Sequence, residues 1–190
     1  MSRLETTTAL TQLGVQSQEY FLYVSRLEPE NNAHMVIEAF EKVPTQKRLL
    51  IVGDAPYARA YINRLKSTRD PRVRFGGAIY GIGYRELQSH AFAYIQATEV
   101  GGTHPALIEA MGAGNCVIAK DTPENREVLG GCGLFFDDAA GLAQEIQRTL
   151  TDAPLVQRLR TKALERAKAL YSWEAVTDAY EKLFRDLVGC

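Results

Sequence analysis

Six short apolar runs punctuate the chain, and each gives way to a polar turn followed by apolar residues at helical spacing. Apolar runs without polar alternation mark strands covered on both faces. The first, residues 20–25 (YFLYVS), passes through the polar turn 26–32 to Val36, Ile37 and Phe40, a helical stripe that stops at Pro44. Residues 48–54 form a second strand, and a helix over 57–69 ends at Asp70-Pro71. A third strand at 73–77 precedes a short helix at 84–91, and a fourth at 93–97 leads into a glycine turn and a helix over 106–111. The fifth, 116–119, is followed by a capped helical turn at 122–129, and the sixth, 133–136, ends at Asp137-Asp138. Beyond that point only helical periodicity remains. Leu142, Ile146 and Leu150 make one stripe, and Leu155, Leu159, Leu164 and Leu170 another. Trp173, Val176, Tyr180, Leu183, Phe184 and Leu187 make a third, expected to pack in a core or an interface. Residues 1–17 carry no clear period and read as a lead-in or linker to a domain over 18–190.

This alternation predicts an α/β fold: a Rossmann-like, doubly wound parallel sheet of about six strands, with helices on both faces and a helical C-terminus. Such sheets bind ligands at the carboxyl ends of their strands, beside the reversal in strand order. Ser25-Arg26, Gly53-Asp54, Gly76-Gly77 and the segment from Glu99 to Thr103 all fall there. The last is the most informative. Gly101 and Gly102 allow a tight turn and a close backbone approach to a ligand. Thr103 is expected to cap the next helix, Pro105 suits its first turn, and Gly112 and Gly114 stop it. A helix opening after such a turn offers free N–H groups to a phosphate or diphosphate. Glu109, four residues beyond Pro105, projects from the same face, where a carboxylate accepts sugar or ribose hydroxyls. Arg26 supplies a guanidinium able to hold two phosphate oxygens. Together they suit a departing nucleotide diphosphate, whose charge grows as its bond to a sugar breaks. His104 is a helix-start residue within reach of a phosphate, while Glu99 either accepts a sugar hydroxyl or faces solvent. Each has an ordinary structural reading when taken singly; the combination points to a site.

Composition narrows the rest. At 190 residues the chain suits one well-buried domain and is short for two. With 46% hydrophobic and 24% charged residues it is an ordinary globular sequence, and a net charge of -1 makes no electrostatic case for nucleic acid or an anionic membrane. No apolar run reaches a membrane span, and the start of the chain lacks the apolar core of a signal peptide. Cys116, Cys132 and Cys190 have no metal-ligand spacing and read as reduced thiols of a cytoplasmic protein. No metal cluster, Ser-His-Asp set or Cys-His set assembles from the sequence, so the site is expected to work without metal or cofactor.

Residues 21–27 (FLYVSRL) followed by Glu38-Ala39-Phe40, residues 50–54 (LIVGD) and residues 105–114 resemble the C-terminal, donor-binding half of GT-B glycosyltransferases of family 4. Residues 28–32 (EPENN), 80–87 (YGIGYREL) and 100–105 (VGGTHP) are closer still to the bacterial branch that includes rhamnosyltransferases of cell-surface polysaccharide synthesis. The resemblance runs from about residue 20 to the C-terminus. It implies retaining, metal-independent transfer of a sugar from a nucleoside-diphosphate donor to a hydroxyl. Carried over by position, Arg26 contacts the diphosphate and Glu109 the ribose hydroxyls. Gly101, Gly102 and Thr103 lie against phosphates and sugar, and Phe75-Gly76-Gly77 near the base. Ser25, Asn31, Gly53, Asp54, Glu99, His104 and Leu107 complete the expected donor contacts.

Two positions depart from the family pattern. Its lysine five residues after the arginine is here Asn31. Of its paired glutamates, the first falls on Gly101, with Glu99 two residues earlier. The family's acceptor-binding half precedes the donor half, yet the first predicted strand begins at residue 20. The expected partners are therefore a nucleotide-sugar donor and a GT-B N-terminal half, in cis or in trans, that receives the final helix. Membrane association would arise only through that half, and the isolated donor half is expected to be inactive. Two other readings stay open: a stand-alone, non-catalytic nucleotide-sugar binding module, or another GT-B activity. The latter could be a sugar-nucleotide epimerase or a phosphorylase, though no lysine is favoured for the pyridoxal cofactor of a phosphorylase.

Overall fold

The structure, a computed structural model, describes residues 4–189. The strands are β1 (Tyr20–Val24), β2 (Arg48–Val52), β3 (Val73–Gly77), β4 (Ala93–Gln96), β5 (Cys116–Lys120) and β6 (Gly133–Phe136). They form one parallel sheet in the order β3-β2-β1-β4-β5-β6. β1 and β4 are neighbours, with Phe21 opposite Ala93 and Tyr23 opposite Ile95. The chain winds outward from β1 on one side and from β4 on the other, so the strand order reverses between them.

The strands read as unbroken apolar runs because both faces are covered. Successive side chains alternate between faces. Phe21, Tyr23, Leu49, Ile51, Ile95 and Ile118 enter one core, against α2 (Ala33–Glu41), α7 (Ala139–Thr151) and the start of α8 (Ala153–Tyr171). Leu22, Leu50, Tyr94 and Val117 enter the other, against α1 (Thr8–Leu13), α4 (Gly81–His90), α5 (Pro105–Gly112), α6 (Pro123–Leu129) and the later turns of α8. Between β2 and β3 runs α3 (Arg59–Lys66), and the described chain finishes with α9 (Trp173–Val188). The predicted class and sheet are those observed.

Three local expectations need correction. Residues 1–17 read as unpatterned lead-in, yet α1 lies within them, with Ala9, Leu10 and Val15 buried. Only six residues long, α1 is too short to hold itself and shows no period. It is pinned by the buried Glu86 carboxylate of α4, which accepts from Ala9 N at 2.6 Å and Leu10 N at 3.2 Å. Thr103 does not cap α5; His104 takes that place in extended conformation, without a side-chain cap. A residue before proline is driven out of helical geometry, so Pro105 sets the boundary immediately after His104. Finally, α4 starts at Gly81, earlier than the expected residue 84, through a positive φ of 62° that glycine tolerates.

The start of α6 follows expectation, with Thr122 accepting from Asn125 N at 3.2 Å, whereas α3 begins at Arg59 rather than at residue 57. Cys116 and Cys132 are free, and burial pushes the Cys116 thiol up to about 12; Cys190 lies outside the described residues. Among the described residues no helix is long and apolar enough to cross a membrane.

Candidate functional site

The carboxyl ends of β1, β2, β3 and β4 are stitched together by main-chain hydrogen bonds. Ser25 N–H donates to Val52 O at 3.1 Å, Gly53 N–H to Gly77 O at 2.8 Å, and Leu27 N–H to Asp54 O at 3.4 Å. Across the reversal, Glu99 N–H donates to Glu30 O at 3.3 Å, and the Asn32 side-chain amide to Ala97 O at 3.0 Å. The Arg26 loop and the glycine turn are thereby joined. Gly53 makes this possible: at φ 138° a Cβ there would sit 1.8 Å from Ser25 O. Asp54 folds its own carboxylate back to accept from Ala55 N at 2.8 Å. Gly77, at φ 69°, turns the chain towards α4, whereas a Cβ on Gly76 would press Ile79 at 3.3 Å.

Arg26 stands out into solvent, with 72% of its side chain exposed, and its Nε lies 3.3 Å from Glu28 Oε2. The other Glu28 oxygen accepts a short hydrogen bond from the Tyr57 hydroxyl, and that carboxylate raises the Tyr57 pKa. The guanidinium is thus held by one carboxylate and offered to solvent. Asn31 does not join it. Its buried side-chain amide donates to Arg26 O at 2.9 Å and its main-chain carbonyl accepts from the Tyr23 hydroxyl at 2.6 Å, so it braces the loop from beneath.

On the β4 side, Gly101 (φ 128°) carries the His104 ring against it, 3.0 Å from where a Cβ would stand. Burial pushes the His104 pKa down, with Glu124 acting weakly the other way, which favours neutral imidazole. Gly101, Gly102 and Thr103 are exposed. Pro105 has no N–H, and Leu107 N–H is taken by His104 O at 3.0 Å. Among the described residues, the N–H groups of Thr103, His104 and Ala106 meet no protein acceptor. The Leu107 side chain is fully buried in the core, facing away from any ligand at the turn. Glu99 is exposed at the strand end, as one of its two readings had it, and pairs at 3.5 Å with Lys120, which also donates to Asp137 O at 2.7 Å.

Glu109 is exposed on α5, and its Oε2 accepts from the Tyr84 hydroxyl at 2.7 Å. Burial and this carboxylate both raise the Tyr84 pKa, keeping it a neutral donor. Beside the pair, Tyr84, Arg85 and Gln88 of α4 and Ala113 after α5 line a cleft of about 230 Å³. Sequence reasoning gave no site role to Tyr84, Glu28, Tyr57 or Lys120, although Glu28 and Tyr84 fall in the motifs at 28–32 and 80–87. Lys120 left a signal of another kind, as a cation at the end of the fifth apolar run. Chemically, the loops offer a cation, unpaired main-chain N–H donors and a carboxylate, which suits an anion attached to a polyol.

Residues 18–152 match the family described as Glycosyl transferases group 1. Over 168 residues the chain is 25% identical to O-antigen chain mannosyltransferase B of Escherichia coli, covering 84% of this chain and 44% of that protein. Over 154 residues it is 31% identical to the lipopolysaccharide core biosynthesis glycosyltransferase LpsD of Rhizobium meliloti (strain 1021), covering 72% and 40%. The chain spans less than half the length of these relatives. In fold it is similar to Anabaena Alr3699/HepE in complex with UDP and glucose, with a TM-score of 0.83 at 21% identity over 97% of this chain and 52% of that one. It is also similar to sucrose-phosphate synthase (tll1590) from Thermosynechococcus elongatus, with a TM-score of 0.80 at 27% identity over 97% and 49%. With a matching sequence over most of its length and one half of a GT-B fold, the chain belongs to the glycosyl transferases group 1 family.

Proposed function

We propose that this chain is the donor-binding half of a retaining, metal-independent glycosyltransferase that takes its sugar from a nucleoside diphosphate and acts with a GT-B acceptor half. The observation that carries this reading is the junction across the strand reversal, where the Arg26 loop and the glycine turn before α5 are hydrogen-bonded to one another. A diphosphate there lies between a guanidinium and the N–H groups of Thr103, His104 and Ala106, which meet the charge that develops as the sugar departs. Glu109 accepts the ribose hydroxyls, and the turn at Gly76-Gly77 borders the base. HepE, of similar fold, has been seen with UDP and glucose. The motifs at 28–32, 80–87 and 100–105 support the rhamnosyltransferase-like branch, with a cytoplasmic protein touching the membrane only through its acceptor half.

The exposed apolar side of α9, bearing Trp173, Phe184 and Leu187, favours this reading over a stand-alone binding module. The test is sugar transfer and donor hydrolysis with UDP-, GDP- and dTDP-sugars, using the chain alone and mixed with a GT-B acceptor half. Transfer only in the mixture, insensitive to EDTA and with the donor's anomeric configuration kept in the product, is the expected result. Nucleotide binding without transfer in either case would leave a binding module.

A further inference from the structure

We infer that Tyr84 is a positioning residue for the nucleotide site: it fixes one oxygen of Glu109 so that the other faces the ribose. This rests on the reading of Glu109 given above and extends it to a residue on a different helix.

The argument follows the direction of hydrogen bonds through four side chains. Asn115, buried after α5, sets its Nδ2 on two main-chain acceptors, Gln88 O at 2.8 Å and Ala110 O at 3.1 Å. That nitrogen also faces Gln88 Oε1 at 3.4 Å, which identifies the acceptor end of the buried Gln88 amide. The donor end, Nε2, then reaches the Tyr84 hydroxyl at 2.9 Å. A phenol has a single proton. With its oxygen accepting from Gln88, that proton goes to Glu109 Oε2 at 2.7 Å. Main-chain carbonyls thus orient the buried part of the chain, since a reversed Gln88 amide would set its Nε2 against Asn115 Nδ2. Among the described residues Glu109 Oε1 meets no protein donor, and Glu109 is itself exposed. A free carboxylate on an exposed helix samples several rotamers. One tethered through Oε2 presents Oε1 in one direction and loses less freedom when a diol binds. The cleft of about 230 Å³ beside the pair keeps the carboxylate reachable.

The test is calorimetry of UDP and GDP, each against its 2′,3′-dideoxy form, with the intact chain, Tyr84→Phe, Glu109→Ala and the double variant. Thermal melts check that each remains folded. Phenylalanine keeps the ring and removes only the hydroxyl. The expected result is that the wild type prefers the hydroxylated nucleotide and that Glu109→Ala abolishes this preference. Tyr84→Phe weakens it by about three- to tenfold, the usual range for one hydrogen bond, while leaving the dideoxy affinity unchanged. The double variant should match Glu109→Ala. If Glu109→Ala abolishes the preference and Tyr84→Phe keeps it, Tyr84 is only structural and the inference falls alone. If Glu109→Ala leaves the preference intact, or the wild type has none, the ribose role of Glu109 falls and the inference with it.

Discussion

At the scale of single residues, Gly53 shows how little tolerance the loop junction has. Its Cβ would lie inside contact distance of Ser25 O, at a φ that L-residues rarely adopt, so neither backbone nor side chain can adjust without moving the Arg26 loop. Gly53→Ala should destabilise the fold by about 2–4 kcal/mol in denaturant titrations and weaken nucleotide binding in whatever folded fraction remains. An unchanged midpoint would show that the junction is looser than described. Arg26 and Glu109 could be picked out from sequence only in combination with the glycine turn, since either charge taken singly has an ordinary structural reading. Asn31 and Leu107 sit at similar positions, yet one braces the Arg26 main chain and the other enters the core. Nothing in local pattern tells a polar residue that serves a ligand from one that serves a carbonyl. The link from Tyr84 to Glu109 was out of reach for another reason: it exists only because α4 and α5 lie side by side.

At the scale of elements, all six strands were legible because a parallel sheet buries both faces and writes each strand as an apolar run. α1 was not, since its stability comes from a carboxylate seventy-odd residues away in the chain. Glu86→Ala removes the acceptor for two buried N–H groups and should cost about 2 kcal/mol, with protease cutting between residues 4 and 18 while the sheet stays intact. Equal protease resistance in the variant would contradict that role. A second element-level link joins the loop after α2 to the start of β3. Arg72 donates to Asp70 and to Val43 O and Thr45 O, and stacks on Phe40. The guanidinium holds the Asp70 carboxyl below its ordinary 3.8. A carboxyl depressed in the folded state contributes fully above its unfolded pKa and loses that contribution as pH falls through the folded value. The stability gap between wild type and Asp70→Asn should therefore be present at pH 7 and shrink below pH of about 4. A gap that is constant with pH would mean that the pair is not coupled to folding.

At the scale of the whole molecule, the chain has the fold of about half of each of the solved structures it resembles. Its last helix was expected from the period of its apolar residues, but periodicity records only that a face is apolar, not what covers it. In α9 none of the residues is buried, and Trp173, the chain's one tryptophan, is 84% exposed. If the acceptor half docks on this face, Trp173 emission should shift to shorter wavelength on mixing, and Phe184→Ser should weaken the association. An unshifted spectrum in a mixture that transfers sugar would place the contact elsewhere. The central claim remains the anion site at the reversal between β1 and β4. Its most direct test is calorimetry of UDP, GDP and dTDP with the wild type, Arg26→Ala and Glu109→Ala. Binding of at least one nucleotide at about micromolar to millimolar Kd is predicted, as suits an open half-cleft, with each variant weakened about tenfold or more. Equal affinity in all three proteins would contradict the account.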